Sequence, residues 1–149
     1  NTRQNPAVSS VAEHPWGEYN WPENILTYPR IAKLFQIEIV GETQCDHVGE
    51  FTEKTWRCLA TGKPFLLLSG SGSMRLLRDL GFKTYHPWID ESYDHVPDLI
   101  GRIEAIRTEI DRLASLNDTQ WQHTVIALHE IARRNREFYH KWNPEVLLP

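Results

Sequence analysis

Pro64-Phe65-Leu66-Leu67-Leu68 is an unbroken apolar run, bounded by Gly62-Lys63 before it and by Ser69-Gly70-Ser71-Gly72-Ser73 after it. A run this short lacks the length of a buried helix and the alternation of a half-solvated strand. It therefore predicts a strand covered on both faces, the kind that parallel sheets contain. The flanking segments fit that sheet. Phe35-Gln36-Ile37-Glu38-Ile39-Val40 alternates apolar and polar residues and is rich in branched side chains, which predicts a strand. Gly41 to Phe51 is a polar loop after its carboxyl end. Thr52 can cap a following helix, on which Trp56, Leu59 and Ala60 share one face and which Gly62 ends. Beyond the Gly-Ser turn, Met74, Leu77 and Leu80 give a second short amphipathic helix closed by Gly81, and Phe82 to Tyr85 alternates as a third strand. The order strand, helix, strand, helix, strand requires a parallel sheet with right-handed crossovers.

The rest of the chain is helical. Ile100, Ile103, Ile106, Ile110 and Leu113 form one stripe, and Trp121, Val125, Leu128, Ile131, Phe138 and Trp142 form another. Asn117 with Gln120 has the spacing of a capping box for the second of these helices. Arg133, Arg134 and Arg136 read as solvated. The expected fold is α/β, a small three-layer parallel sheet with two C-terminal helices packed on the sheet or on each other. Residues 1–30, rich in Pro, Asn, Trp and Tyr, read as an irregular arm pinned by Trp16 and Trp21, ahead of one α/β domain over 31–149. The arm's aromatics favour packing, or contact with a further domain, over stacking on a sugar.

Composition narrows the function. A formal net charge of -4 disfavours a broad nucleic-acid surface. No segment approaches the roughly 20 apolar residues of a membrane span, and the polar start from Asn1 to Ser10 is unlike a signal peptide. The expected location is the cytoplasm. A first residue other than Met fits a processed or truncated piece. Cys45 and Cys58 form no C-x-x-C pair, and the seven histidines lack zinc-site spacing, so neither a metal nor a disulfide is assigned.

In open parallel sheets ligands bind beyond the carboxyl ends of the strands. Three loops fall on that rim here: Gly41 to Phe51, Ser69 to Ser73 and His86 to Asp94. The first gathers Glu42 and Thr43 and leads into Thr52, Glu53 and Lys54. A helix start offers unpaired amides and partial positive charge to an anion, and Lys54 adds a full charge. We read Lys54 as neutralising phosphate, because a merely solvated cation there would oppose the helix dipole. Glu53 can hold ribose hydroxyls, or can be a favourable first-turn carboxylate with no ligand. Gly70 and Ser71 belong to a turn that lacks the third glycine of the dinucleotide fingerprint and the Gly-Lys-Ser/Thr of a phosphate loop. They read as a strand-to-helix turn with a ligand-facing edge, and the missing signature argues against a kinase or ATPase. The acidic loop Asp90-Glu91-Ser92-Tyr93-Asp94 fits a divalent metal, a polarised sugar hydroxyl or helix-start chemistry ahead of Pro97 equally well.

Taken in order, Val40-Gly41-Glu42-Thr43, Phe51 to Thr55, Gly62 to Phe65, Leu77 to Leu80, Gly81 to Thr84 and Asp90 to Asp94 resemble the donor-binding half of GT-B glycosyltransferases. The similarity is greatest to glycosyltransferase-like proteins of tailed phages and bacteria, distant relatives of the fucosyltransferase and exostosin groups. The resemblance implies a Rossmann-like donor lobe that binds a nucleotide-activated sugar as substrate, without an essential metal or other cofactor. Glu53 and Lys54 would contact the nucleotide, and a phage protein would work in the host cytoplasm. A GT-B enzyme also has an N-terminal acceptor lobe, for which the first 30 residues are too few. The expectation is then a missing lobe, a partner chain or a homo-oligomer, or else a non-catalytic structural or interaction module that kept the fold.

Overall fold

The computed structural model describes residues 35–141. The arm over 1–30, with Trp16 and Trp21, lies outside the described residues, as does Trp142. Every element below lies within Gln36–Pro149.

The architecture is α/β. Strand β1 (Glu38–Gly41) and strand β2 (Phe65–Leu68) run parallel, with Ile39 opposite Leu66 and Val40 opposite Leu67. Glu38 N–H donates to Pro64 O at 2.9 Å, and Glu42 N–H to Leu68 O at 3.0 Å, extending the ladder past both strand ends. The crossover is helix α1 (Glu53–Thr61). Thr52 is its N-cap, and Gly62 closes it in the left-handed region at φ 72°. A Cβ on Gly62 would lie 3.3 Å from Ala132 O, so this terminus needs glycine both for its backbone angle and for close packing. Helix α2 (Ser73–Asp79) follows β2, then a 3₁₀ turn (Ser92–His95), helix α3 (Leu99–Ala114) and helix α4 (Asp118–Lys141). Asn117 and Gln120 exchange hydrogen bonds at 3.1 and 2.9 Å as a capping box opening α4.

Helix α4 packs along α1. Trp56 of α1 lies 6.3 Å from the ring of Tyr139 and 6.4 Å from that of Phe82, and Phe82 meets Phe138 edge-on at 4.9 Å. Edge-to-face pairs of this kind add about 0.5–1.5 kcal/mol each beyond the area they bury.

The expected third strand does not form. Phe82 to Tyr85 adopts no regular secondary structure and joins no sheet. Side chains take the hydrogen bonds that a strand partner would have taken. Lys83 N–H donates to Asn135 Oδ1 at 2.8 Å, Asn135 Nδ2 donates to Lys83 O at 2.7 Å, and Tyr85 N–H donates to Glu91 Oε1 at 2.6 Å. On the facing edge of the sheet, Leu67 N–H is met by the Tyr93 hydroxyl at 3.4 Å. The sheet therefore stops at two strands among the described residues, short of the three-layer arrangement expected. Asn135 is 2% exposed, so its replacement would strand two backbone groups. Asn135→Leu is expected to cost about 2–3 kcal/mol, read as a lower urea midpoint at unchanged m-value. A loss below about 0.5 kcal/mol would mean that Lys83 is not held this way.

The two C-terminal helices are also rotated from their expected faces. In α3 the buried positions are Arg102, Ile106, Glu109 and Leu113, while Ile100 and Ile103 are 71% and 45% exposed. Arg102 and Glu109 turn inward because loop backbone satisfies them: Arg102 donates to Val96 O, Pro97 O and Cys45 O, and Glu109 accepts from Asp90 N–H. In α4 the buried line is Thr124, Leu128, Ala132, Asn135 and Tyr139, of which the expected stripe contained only Leu128.

Candidate functional site

Because β1 and β2 are parallel, Glu42-Thr43 and Ser69-Gly70 leave the sheet at the same end. Thr52 sits there too, drawn in by Glu42. The Glu42 side chain is 3% exposed. Its Oε1 accepts from Thr52 N–H at 3.1 Å and from the Thr55 hydroxyl, and its Oε2 accepts from the Thr52 hydroxyl. A buried carboxylate is tolerated when its lone pairs are filled this way. The Thr52 hydroxyl, its proton committed to Glu42, accepts from Lys54 N–H at 3.4 Å as the cap of α1.

Lys54 lies over this base rather than out in solvent. Its Nζ is 3.1 Å from Glu53 Oε1, 3.3 Å from Thr52 Oγ1 and 3.4 Å from Thr43 Oγ1, with the side chain about one-third exposed (35%). Adjacent helical side chains normally diverge. Here Glu53 and Lys54 meet because both belong to the opening turn, where Thr52 and Thr43 give the ammonium somewhere to lean. The result is an ammonium, a carboxylate and two hydroxyls converging at the carboxyl end of β1, a set able to bind anionic oxygen and hydroxyl groups side by side.

Of the residues singled out in the sequence, Glu42, Thr43, Thr52, Glu53 and Lys54 are brought together. Gly70 and Ser71 make their contacts elsewhere. Gly70 N–H donates to His47 O at 3.2 Å, and a Cβ on Gly70 would fall 2.2 Å from His47 C, so this glycine serves the close approach of two backbones. The Ser71 hydroxyl donates to Asp94 O at 2.9 Å. Asp94 also caps α2, accepting from Met74 N–H at 2.9 Å and Arg75 N–H at 3.1 Å. The acidic loop is thus spent on backbone. Asp90 accepts from Ser92 N–H, which holds its carboxyl below the usual range. Glu91 accepts from Tyr85 N–H and pairs with Arg78 at 3.0 Å, and burial raises its carboxyl above the usual range. No group of three His, Cys, Asp or Glu among the described residues is arranged to hold a metal ion.

Two residues of the site escaped sequence reasoning. Thr55 follows Thr52 at helical spacing, so a T-x-x-T pattern could have flagged a second hydroxyl on the same face. Arg102 gave no local signal. Its guanidinium holds Cys45 O at 2.6 Å and the Val96 and Pro97 carbonyls at 2.9 Å each, tying the loop after β1 to the segment before α3. That loop is pinned again where Gly49 N–H meets Ser73 Oγ at 3.2 Å. Cys45 donates its thiol hydrogen to Glu42 O, and burial, reinforced by the Glu42 charge, pushes the thiol's pKa up. Among the described residues, Cys45 and Cys58 form no disulfide.

Away from this rim, a groove of about 460 Å³ runs beside β1. Ile37, Ile39, Ile110, Leu116 and Trp121 are among its lining residues. No helix among the described residues is long and apolar enough to cross a membrane. Comparison with family models, with curated proteins and with solved structures returns no match.

Proposed function

We propose that this chain is the donor-binding lobe of a glycosyltransferase, a small Rossmann-like GT-B lobe that holds a nucleotide-activated sugar for transfer to an acceptor. One observation carries the reading: Thr43, Thr52 and Glu53 converge on the Lys54 ammonium, above the buried Glu42 that holds Thr52, at the carboxyl end of a parallel strand, where open α/β sheets bind ligands. Lys54 would neutralise the diphosphate and stabilise it as leaving group. Glu53 would accept from ribose hydroxyls. Glu42 sits too deep to touch ligand and fixes the threonines instead. The acceptor side would come from another lobe, a partner chain or a second copy, and the cytoplasm is the compartment that supplies nucleotide sugars.

Thermal denaturation in millimolar UDP-, GDP-, ADP- and CMP-linked sugars tests this. One of the four is expected to raise the Tm by a few degrees, the shift that tenfold excess over Kd produces in a domain this size. Lys54→Ala should abolish that shift while leaving the ligand-free Tm within about 2 °C, as expected of a partly exposed side chain in an ion pair at the surface. Four flat titrations would remove the reading.

A second reading, a non-catalytic interaction module, is favoured by the groove beside β1 and by Ile39, Ile100 and Ile103, which are 56%, 71% and 45% exposed. Concentration-dependent self-association, together with four flat titrations, would select it.

A further inference from the structure

We propose that Glu53 is the resident anion of Lys54, a carboxylate that occupies the ammonium until phosphate oxygens displace it. The proposal rests on the donor-lobe reading above and adds to it an exchange of partners on binding.

The three oxygens around Lys54 Nζ are not equivalent. Thr52 Oγ1, at 3.3 Å, is held from below by Glu42, which is itself buried, so it cannot leave without opening the base of the loop. Thr43 Oγ1, at 3.4 Å, is neutral and lies on an exposed residue. Glu53 Oε1, at 3.1 Å, is the one negative charge of the set and belongs to a side chain that is 24% exposed. Glu53 is therefore the partner that both satisfies the ammonium and can swing away from it. A diphosphate offers more negative charge and several oxygens to the same ammonium, so it should win the competition. Once released, the Glu53 carboxylate has two acceptor oxygens with no cation to hold. It is then suited to a pair of adjacent hydroxyls, placed beside the phosphates by the one-residue offset between Glu53 and Lys54. A ligand with phosphate alone would break the pair without replacing it. A nucleoside diphosphate would break it and supply the carboxylate with new partners. The pair thus screens out free inorganic anions in favour of ligands that carry both groups.

The test is calorimetric titration of the 149-residue chain with inorganic diphosphate and, separately, with the nucleoside diphosphates UDP, GDP and ADP. Glu53→Gln and Glu53→Ala should bind inorganic diphosphate about two- to fivefold more tightly than the parent chain, the range expected for losing a partly exposed ion pair. Both should bind the nucleoside diphosphate more weakly, and Glu53→Asp should fall between parent and Gln. Asp46→Asn removes an exposed carboxylate from the loop that precedes α1 and controls for net charge; it should leave both affinities within about twofold, since an exposed charge is screened at physiological salt. Equal or weaker inorganic diphosphate binding in the Gln and Ala variants overturns the exchange while leaving the donor-lobe reading intact. Equal tightening by Asp46→Asn also overturns it, because bulk charge would then explain the effect. If the parent chain binds neither ligand at millimolar concentration, the donor-lobe reading fails, and the exchange fails with it.

Discussion

Replacing Arg102 with methionine is expected to destabilise the domain by about 3–5 kcal/mol, a large share of the 5–15 kcal/mol that holds an ordinary domain folded. Methionine keeps most of the apolar stem but leaves the carbonyls of Cys45, Val96 and Pro97 without the donors that now meet them at 2.6–2.9 Å. Hydrogen bonds to a charged donor contribute about 1.5–3 kcal/mol each, and water entering near Pro97 recovers part of that loss. Arg102→Lys should fall between parent and Met, since one ammonium cannot span carbonyls from two separate segments. Guanidinium denaturation of the three chains checks the order. A Met variant within 1 kcal/mol of the parent would show that the loop after β1 holds itself.

Glu42→Ala is expected to cost about 3 kcal/mol, concentrated on Thr52 N–H. The Thr52 and Thr55 hydroxyls can rotate to other acceptors, but an amide cannot. Glu42→Gln keeps one carbonyl oxygen for Thr52 N–H and Thr55, and forces only the Thr52 hydroxyl to turn, so it should lose less than half as much. Amide exchange at Thr52 and Lys54 separates the two, with Ala accelerating it far more than Gln. Equal losses from both variants would mean that the negative charge of Glu42, rather than its acceptor geometry, secures the start of α1.

The local parts of this fold were legible because neighbouring residues determine them. Thr52 and Gly62 bracket α1 by their own chemistry, Asn117 and Gln120 cap each other, and the apolar run before Leu68 has no use except as a covered strand. What could not be read depends on partners far along the chain. Phe82 to Tyr85 has the alternation of a strand, and only the arrival of Asn135, 52 residues beyond Lys83, replaces a strand partner with an amide. Arg102 and Glu109 look like solvent-facing charges on an isoleucine helix until loop carbonyls and amides converge on them. The site divides along the same line. Glu42 through Lys54 lie within one loop and one helical turn, so their convergence follows from local geometry. Gly70 and Ser71 were placed with them because they share the rim, yet their geometry is set by His47 and Asp94.

Asn135 has one more effect, on the order in which the chain can become native. The amide that steadies the residues after α2 comes from the last of the described helices to be synthesised. The same helix supplies the rings against Trp56 and Phe82. A nascent chain that has reached α3 therefore has Arg102 to tie the loop after β1 but lacks the amide and rings that hold Lys83, Trp56 and Phe82, and it must wait for α4. Ribosome-bound chains stopped between Ala114 and Asp118 should remain protease-sensitive, with protection appearing only after release of residues beyond Tyr139.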